Sequence, residues 1–77
     1  MTKKEILDLI LNERSNQDKK WGEQNHNVYK WLAILGEEVG EANKAALESK
    51  DSELINELIQ ISSVSVAMIE SIYRNRK

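Results

Sequence analysis

The chain has 77 residues, of which 40% are hydrophobic and 31% are charged, and its formal net charge is −2. This length allows one small domain, the composition is globular rather than disordered, and the lack of basic excess argues against nucleic acid as a partner. The chain has no cysteine, no apolar run long enough to cross a membrane and no apolar leader at its start, so we expect a cytoplasmic protein without disulfides or thiolate chemistry.

The absence of proline and the presence of only three glycines favour an all-α fold. We predict a single helical domain over residues 1–77, built as a bundle of about three helices. A bundle of this size is only marginally stable by itself. Homo-oligomerisation, as a dimer or a tetramer, is therefore expected to complete it.

The first predicted helix starts at Thr2, whose hydroxyl is expected to form a capping box with Glu5, and it ends at Gly22. Its apolar face becomes polar halfway along. Either the helix runs out into solvent there, or this half borders a wet, polar site. The apolar half comprises Ile6, Leu7, Ile10 and Leu11, and the polar continuation comprises Glu13, Arg14 and Gln17.

The connection that follows contains an aromatic ring, two amides and the only histidine of the chain. This segment could hold a nucleobase, with Trp21 stacking on the ring, the amides of Gln24 and Asn25 reading its edge, and the imidazole of His26 beside them. The alternative is that Trp21 fills the core and that His26 is a solvated loop residue. Asn25 or Asn27 is expected to cap the next helix.

The second predicted helix covers residues 28–48, and glutamates interrupt its apolar stripe. Glu38 falls inside the stripe and Glu41 on its margin, whereas Glu37 lies on the polar side. A carboxylate that faces a core is costly unless it is paired or binds a metal. The stripe itself consists of Trp31, Leu35, Val39, Ala42 and Ala46. Gly36 and Gly40 indicate either a bend or a close approach by the first helix or by a partner subunit.

The third predicted helix covers residues 52–73, with Asp51 as a cap, and forms an antiparallel hairpin with the second. Apolar residues cover more than half of its circumference, which indicates burial on two sides, one of them against another subunit. Its small residues Ser62, Ser63 and Ser65 would permit close helix packing.

Glu57 lies at the edge of the apolar face of this third helix. Like Glu38 on the second helix, it is therefore a glutamate in an unusual position. The hairpin can bring Glu38, Glu41 and Glu57 together, with Glu37 and Gln60 at the border. Three carboxylates at one place cannot all stay ionised without a cation, so either one is protonated, or lysines intervene, or a divalent metal is bound. An all-oxygen set suits Mg²⁺, with Mn²⁺ as the second candidate. The alternative is a solvated acidic helix face of the kind many proteins carry.

Three segments in this order resemble a known family: W-G-E-Q-N-H at 21–26, L-G-E-E-V-G-E at 35–41 and E-L-I-Q at 57–60. They resemble the MazG-like, all-α nucleoside triphosphate pyrophosphohydrolases, a superfamily that includes dCTP pyrophosphatases and dimeric dUTPases. The resemblance covers roughly residues 14–72. The family pattern E-E-x-x-E followed by E-x-x-D is matched except at its last position, where this chain has Gln60.

The resemblance implies an Mg²⁺-dependent enzyme that converts an NTP or dNTP to the nucleoside monophosphate and pyrophosphate. It implies metal binding by Glu38, Glu41, Glu57 and Gln60, with Glu37 or Glu38 assisting the attacking water. The residues that it suggests for contacts with the nucleotide are Gln17, Lys20, Trp21, Gln24, His26, Lys30 and Lys44. Because Gln60 brings no charge, the alternative is a helical module that binds nucleotide or oligomerises, has a regulatory role, and is weakly active or inactive.

Overall fold

A computed structural model describes residues 1–76, and Lys77, the last residue of the predicted domain, lies outside the described residues. The described chain is all-helical: α1 comprises Lys3–Trp21, α2 comprises Val28–Leu47 and α3 comprises Asp51–Arg74. Residues 1–76 contain no β-strand. None of the three helices is both long enough and apolar enough to cross a membrane.

The ends of α1 and the start of α2 are set by local hydrogen bonds that the sequence predicts. The Thr2 hydroxyl accepts from the Glu5 backbone N–H, and the Glu5 carboxylate accepts from the Thr2 backbone N–H, which completes the capping box. Gly22 ends α1 with a φ of 70°, a conformation that favours glycine. Of the two asparagines that could cap α2, Asn27 is the cap, and its side chain accepts from the Lys30 backbone N–H at 2.9 Å.

The start of α3 differs from the prediction. Lys50 occupies the N-cap position without a side-chain capping bond, and Asp51 is already the first helical residue. The chain leaves α2 through a Schellman motif, in which Ser49 N–H donates to the Ala46 carbonyl and Lys50 N–H to that of Ala45. This tight exit brings Lys50 straight into α3, so no residue is left to act as a separate side-chain cap.

Helix α3 is the central element of the fold. Both α1 and α2 pack against it, and within residues 1–76 they do not contact one another. Ser63 is fully buried, and its hydroxyl donates back to the Ile59 carbonyl, so a polar but compact side chain permits close approach of the helices. The core cluster consists of Trp31, Val64 and Ala67, with Ile34, Leu35 and Met68 packed against it.

The two tryptophans have opposite environments. Trp31 is 2% exposed at the centre of the core, whereas Trp21 is 55% exposed, so the interpretation of Trp21 as a core residue is wrong. The predicted α2 stripe also needs correction, because Val39 is exposed and Ala45, not Ala46, is buried. The buried positions of α2 therefore run through Trp31, Ala42 and Ala45.

Gly36 and Gly40 face open space, and a Cβ atom built at either would meet nothing within 4 Å. The first helix therefore does not approach α2 at the glycines, and one of the alternatives that the sequence left open is wrong. Approach by a second subunit at this surface stays a prediction.

The polar half of α1 does not run out into solvent. Gln17 is only 9% exposed, and the side chains of Glu13 and Arg14 are partly buried against α3. The second half of α1 thus packs through hydrogen bonds and ion pairs. The predicted apolar face of its first half is mostly not packed, because Ile6, Leu7 and Leu11 are exposed and only Ile10 is partly buried.

Candidate metal centre

The hairpin of α2 and α3 places three glutamates at one point of their shared interface. Glu38 and Glu41 are one helical turn apart on α2, and Glu57 lies opposite them on α3. Each offers one carboxylate oxygen, and these three oxygens all lie within 4.8 Å of one another. Glu38 and Glu57 are partly buried and Glu41 is exposed, so the cluster is open to solvent on one side.

Mutual repulsion disturbs the protonation of this cluster. The negative charge of Glu57, followed by a hydrogen bond with it, raises the pKa of Glu41 above its ordinary value. A hydrogen bond with Glu38 raises the pKa of Glu57, and partial burial adds to the effect. Lys44 is the counter-charge that partly offsets the rise in the pKa of Glu41. The carboxylates of Glu41 and Glu57 therefore hold protons more tightly than isolated glutamates do.

One oxygen of the cluster lacks a partner altogether. Glu57 Oε2 is buried and makes no hydrogen bond. A buried carboxylate oxygen without a partner is unfavourable, and a bound cation removes this cost. The cluster therefore combines a donor set of carboxylate oxygens with an unmet requirement for positive charge.

The two flanking residues of the predicted site have different surroundings. Glu37 is exposed, and its charge contributes to the raised pKa of Glu41. Gln60 follows Glu57 by three residues, but its amide is engaged with α1, donating to Glu13 and accepting from Gln17 at 3.4 Å. The hydrogen bonds of Gln60 thus connect it with α1 and not with the three glutamates.

A cavity of about 170 Å³ lies beside Glu38, between α1 and the hairpin. It brings together three of the predicted nucleotide contacts, and it holds roughly the volume of five to six water molecules, a size that suits a single small ring system. Apart from Glu38 its lining consists of Gln17, Trp21, Gln24, Trp31, Ile34, Gln60, Val64 and Ala67.

A second cavity, of about 330 Å³, lies on the other side of the cluster towards the Schellman turn. Glu41 and Glu57 line it together with Lys44 and Lys50. Glu48 and Glu53 line it as well, and their carboxylates lie 3.4 Å and 3.9 Å from the Lys50 ammonium group. The carboxylate cluster therefore separates a small, largely apolar cavity from a larger one that contains charges of both signs.

The remaining predicted contacts are more scattered. Lys20 lies over the ring of Trp21 at 4.7 Å, a cation–π contact on the rim of the small cavity. His26 is partly buried and packs edge-on against Trp31 with 4.8 Å between ring centroids, so it is not a solvated loop residue. Lys30 has an exposed side chain in the first turn of α2 and lines neither cavity.

Four residues near the site are not among the site residues predicted from the sequence. Two of them, Glu13 and Arg14, are hydrogen-bonded to the amides of Gln60 and Gln17. Their place on the polar continuation of the α1 face is the signal in the sequence that could have indicated them. The other two are Lys50 and Arg74. Lys50 carries no signal in the sequence, because only the turn geometry places it beside Glu57.

Arg74, at the end of α3, fastens the connection between α1 and α2. Its guanidinium donates to the Gln24 carbonyl at 2.9 Å and to the Asn25 side chain at 3.2 Å, and it lies 3.4 Å from the Glu23 carboxylate. Asn75 adds a 2.9 Å hydrogen bond to the same Asn25 oxygen. The end of α3 thus holds the segment that carries Gln24 in position beside the small cavity.

Comparisons with protein-family models, with curated proteins and with solved structures find no match for this chain. The resemblance of its three segments to the MazG-like family therefore stays a prediction, and any function has to be inferred from the site itself.

Proposed function

We propose that this chain is an Mg²⁺-dependent nucleoside triphosphate pyrophosphohydrolase, which splits an NTP or dNTP with water into the nucleoside monophosphate and pyrophosphate. The observation that carries the proposal is the position of Glu38, Glu41 and Glu57, with three oxygens within 4.8 Å, between a ring-sized cavity and a cavity with two lysines. The order of the segments that resemble the MazG-like family supports the same reaction.

The residues present fit a magnesium ion, with manganese as the second candidate. Carboxylate oxygens are the ligands that these hard cations prefer, and Glu57 Oε2 is a buried oxygen that needs a positive partner. Glu38, Glu41 and Glu57 would hold the ion. When bound, the cation supplies charge neutralisation for the triphosphate and for the transition state of its hydrolysis.

The chain's own residues have separate tasks in this reaction. The exposed carboxylate of Glu37, or that of Glu38, accepts a proton from the attacking water. Lys44 lies next to Glu41 on the side of the larger cavity and contacts phosphate oxygens. The base occupies the smaller cavity, where Trp21 offers a stacking surface and the amides of Gln17 and Gln24 offer hydrogen bonds. Lys20, His26 and Lys30 remain secondary candidates for contacts with the nucleotide.

The test is a panel of NTPs and dNTPs incubated with the purified protein and Mg²⁺, with pyrophosphate release as the readout. Glu38→Gln keeps the shape of the side chain and removes its charge, so release should fall by at least about 100-fold, as for loss of a group that stabilises the transition state. Asp8→Asn makes the same chemical change on a half-exposed residue of α1, and should leave release unchanged, because within residues 1–76 its side chain pairs with Lys4 alone, at 2.9 Å. If no nucleotide is hydrolysed, or if Glu38→Gln is as active as Asp8→Asn, the enzymatic proposal is wrong.

We further infer that the active form is a homo-oligomer, a dimer or a tetramer. The support is an uncharged stripe on α3 that α1 and α2 leave exposed and that extends over about 27 Å of helix. An apolar surface of this length on a small chain is typical of a subunit interface. The stripe consists of Ile55, Leu58, Ser62, Val66, Ile69 and Tyr73, all of them exposed except the partly buried Ser62.

The oligomer is tested by light scattering at micromolar concentration. The wild-type chain should have at least twice the mass of a protomer. Ile69→Glu places a charge in the middle of the stripe and should dissociate it, whereas Leu47→Glu, on the exposed last turn of α2, should not. A wild-type chain that is monomeric in this experiment excludes the inference.

A second candidate function is a nucleotide-binding or oligomerisation module with a regulatory role and with little or no catalysis. The observation that favours it is the neutral Gln60, whose amide is already hydrogen-bonded to α1. Calorimetric titration with Mg²⁺ and a non-hydrolysable nucleotide separates the two candidates. Binding without turnover supports the module, and turnover supports the enzyme.

A further inference from the structure

A directed chain of hydrogen bonds crosses the interface between α1 and α3. Arg14 Nη1 donates to Gln17 Oε1 at 3.0 Å, and Gln17 Nε2 donates to Gln60 Oε1 at 3.4 Å. Gln60 Nε2 in turn donates to Glu13 Oε2. The chain of bonds therefore begins at a cation, passes through two amides and ends at an anion.

The charged ends fix the direction of both amides. A guanidinium can only donate, so Gln17 must turn its oxygen towards Arg14, and an ionised carboxylate can only accept, so Gln60 must turn its nitrogen towards Glu13. The middle bond, from the nitrogen of Gln17 to the oxygen of Gln60, then has the right polarity without further adjustment. A 180° rotation of either amide would place like groups against each other at two points.

Arg14 is itself firmly held. Its side chain is 13% exposed and makes ion pairs with Glu70 at 2.7 Å and with Asp18 at 3.0 Å. The cationic end of the chain of bonds is therefore anchored to α3 as well as to α1.

Both amides line the cavity beside Glu38 that also contains Trp21. Within the chain of bonds each amide uses one N–H and one lone pair, so each retains a second N–H and a second lone pair. The cavity thus has an aromatic surface and two amides whose donors and acceptors cannot be exchanged by rotation. This is the kind of surface that distinguishes one planar, hydrogen-bonding ring from another.

We propose that Glu13 and Arg14 are positioning residues that lock the amides of Gln60 and Gln17 and thereby determine which nucleobase the cavity accepts. The proposal rests on the proposed function, because it assigns the base of the nucleotide to this cavity. Glu13 does not touch the base and acts through Gln60. Without the charge of Glu13, the Gln60 amide can present either its nitrogen or its oxygen to the cavity. Discrimination between bases with opposite donor and acceptor edges is then lost.

The first experiment examines the lock without any ligand. In ¹H–¹⁵N spectra of the wild-type protein, the side-chain NH₂ signals of Gln17 and Gln60 should be shifted and should exchange slowly with solvent, compared with those of Gln24, which is outside the network. Glu13→Gln should move the Gln60 signals and speed their exchange, and Asp8→Asn should leave them unchanged. Gln60 signals that resemble those of Gln24, or that do not respond to Glu13→Gln, overturn the proposal.

The second experiment measures selectivity as the ratio of kcat/KM between the best and the worst nucleoside triphosphate. Glu13→Gln should reduce this ratio by about tenfold, because the hydrogen bond between Gln60 and the base no longer has a fixed direction and one such bond contributes a factor of about this size. Glu13→Asp keeps a carboxylate that can only accept hydrogen bonds, so its selectivity ratio should be closer to that of wild type than the ratio of Glu13→Gln. A uniform fall in activity for all nucleotides, with the ratio unchanged, indicates a structural role only and contradicts the proposal.

Thermal unfolding of each variant shows whether it is folded at the assay temperature. If Glu13→Gln is unfolded there, the comparison is made with Glu13→Asp against wild type. If the wild-type protein releases no pyrophosphate, the enzymatic proposal fails separately, and nucleotide titration of the Gln17 and Gln60 signals replaces the kinetics. Shifts that depend on the base, and that lose this dependence in the Glu13 variants, support the positioning role, and their absence overturns it.

Discussion

The two helix–helix interfaces of this chain both contain polar side chains, but they treat them in opposite ways. Between α1 and α3, Arg14 has partners on both helices, and the amides of Gln17 and Gln60 are hydrogen-bonded in a consistent direction. Between α2 and α3, Glu41 and Glu57 repel each other, and one oxygen of Glu57 has no partner. The charges of the first interface are paired within the chain, whereas the carboxylates of the second are not.

This difference shows which polar residues need a partner from outside the chain. A polar group whose charge is paired within the chain needs no bound cation. Three neighbouring carboxylates, of which Glu41 and Glu57 have raised pKa values, are unfavourable for folding, and a bound ligand that lowers their repulsion gives them a physical reason to be there.

The sharpest test of the contrast is Glu57→Gln, which should have opposite effects on binding and on stability. Loss of one of the three carboxylates should weaken Mg²⁺ binding by at least about 10- to 100-fold, the range found even for residues behind the metal ligands. Without metal the same variant should unfold at a higher temperature than wild type, because a like-charge contact is removed. Calorimetric titration and a melting curve without divalent cation measure the two effects. A variant that binds Mg²⁺ as well as wild type would falsify the assignment of Glu57.

At the other interface, Arg14→Met should destabilise the chain, besides releasing the amide of Gln17. The change keeps much of the apolar stem and removes the hydrogen bonds to Glu70, Asp18 and Gln17, at a cost of about 2–3 kcal/mol. For a chain of this size that corresponds to a melting temperature lower by roughly 10–20 °C. Denaturant unfolding gives the free energy directly, with Lys4→Met, which removes an exposed pair on the same helix, as the matched control. Equal stability of the two variants would show that the network contributes no more than a surface ion pair.

The pH dependence of stability should change sign when Mg²⁺ is added. Glu41 and Glu57 have raised pKa values in the folded chain, so the folded state binds more protons than the unfolded state above the ordinary value of 4.5. The contribution of these two groups to stability is therefore present at acidic pH and is lost as the pH rises through the raised pKa values. With saturating Mg²⁺ the ionised carboxylates are favoured, and stability should increase over the same interval.

Melting curves recorded from about pH 4.5, the ordinary glutamate value, upwards, with and without Mg²⁺, measure both slopes. Replacing both carboxylates in one chain, with Glu41→Gln and Glu57→Gln, should flatten both slopes. If the slopes of the double variant equal those of wild type, the two glutamates are not the source of the pH dependence.

The smallest predicted effect concerns the turn that holds the hairpin together. Ser49 has a φ of 56°, at the position of a Schellman motif where glycine is preferred. Ser49→Gly should relieve this strain and stabilise the chain by about 0.5–1 kcal/mol, partly offset by the greater freedom of glycine in the unfolded state. Denaturant unfolding measures the difference, and Ser52→Gly, inside the first turn of α3, should destabilise instead. The same sign for both variants would show that the turn is not strained.

Local patterns in the sequence determine the three helices and most of their ends. Thr2 with Glu5, Gly22 and Asn27 act through contacts within four residues, which a sequence shows directly. The positions of Glu38 and Glu57 on apolar helix faces predict that the hairpin brings them together, and the structure places their oxygens in one cluster with that of Glu41. Helical periodicity is sufficient for this because each of the two residues faces the helix that carries the other.

Only the tertiary structure decided the features that depend on which helix packs against which. The helical pattern predicts that Trp31 is in the core, but nothing local decides whether Trp21 is in the core or on the rim of a cavity. Nor does a local pattern indicate that α1 packs against α3 and not against α2. For the same reason the partners of Gln60 could not be read from its own helix, because Glu13 and Gln17 precede it by more than 40 residues. The sequence by itself determined where the acidic cluster lies, and the packing of α1 on α3 decided what surrounds it.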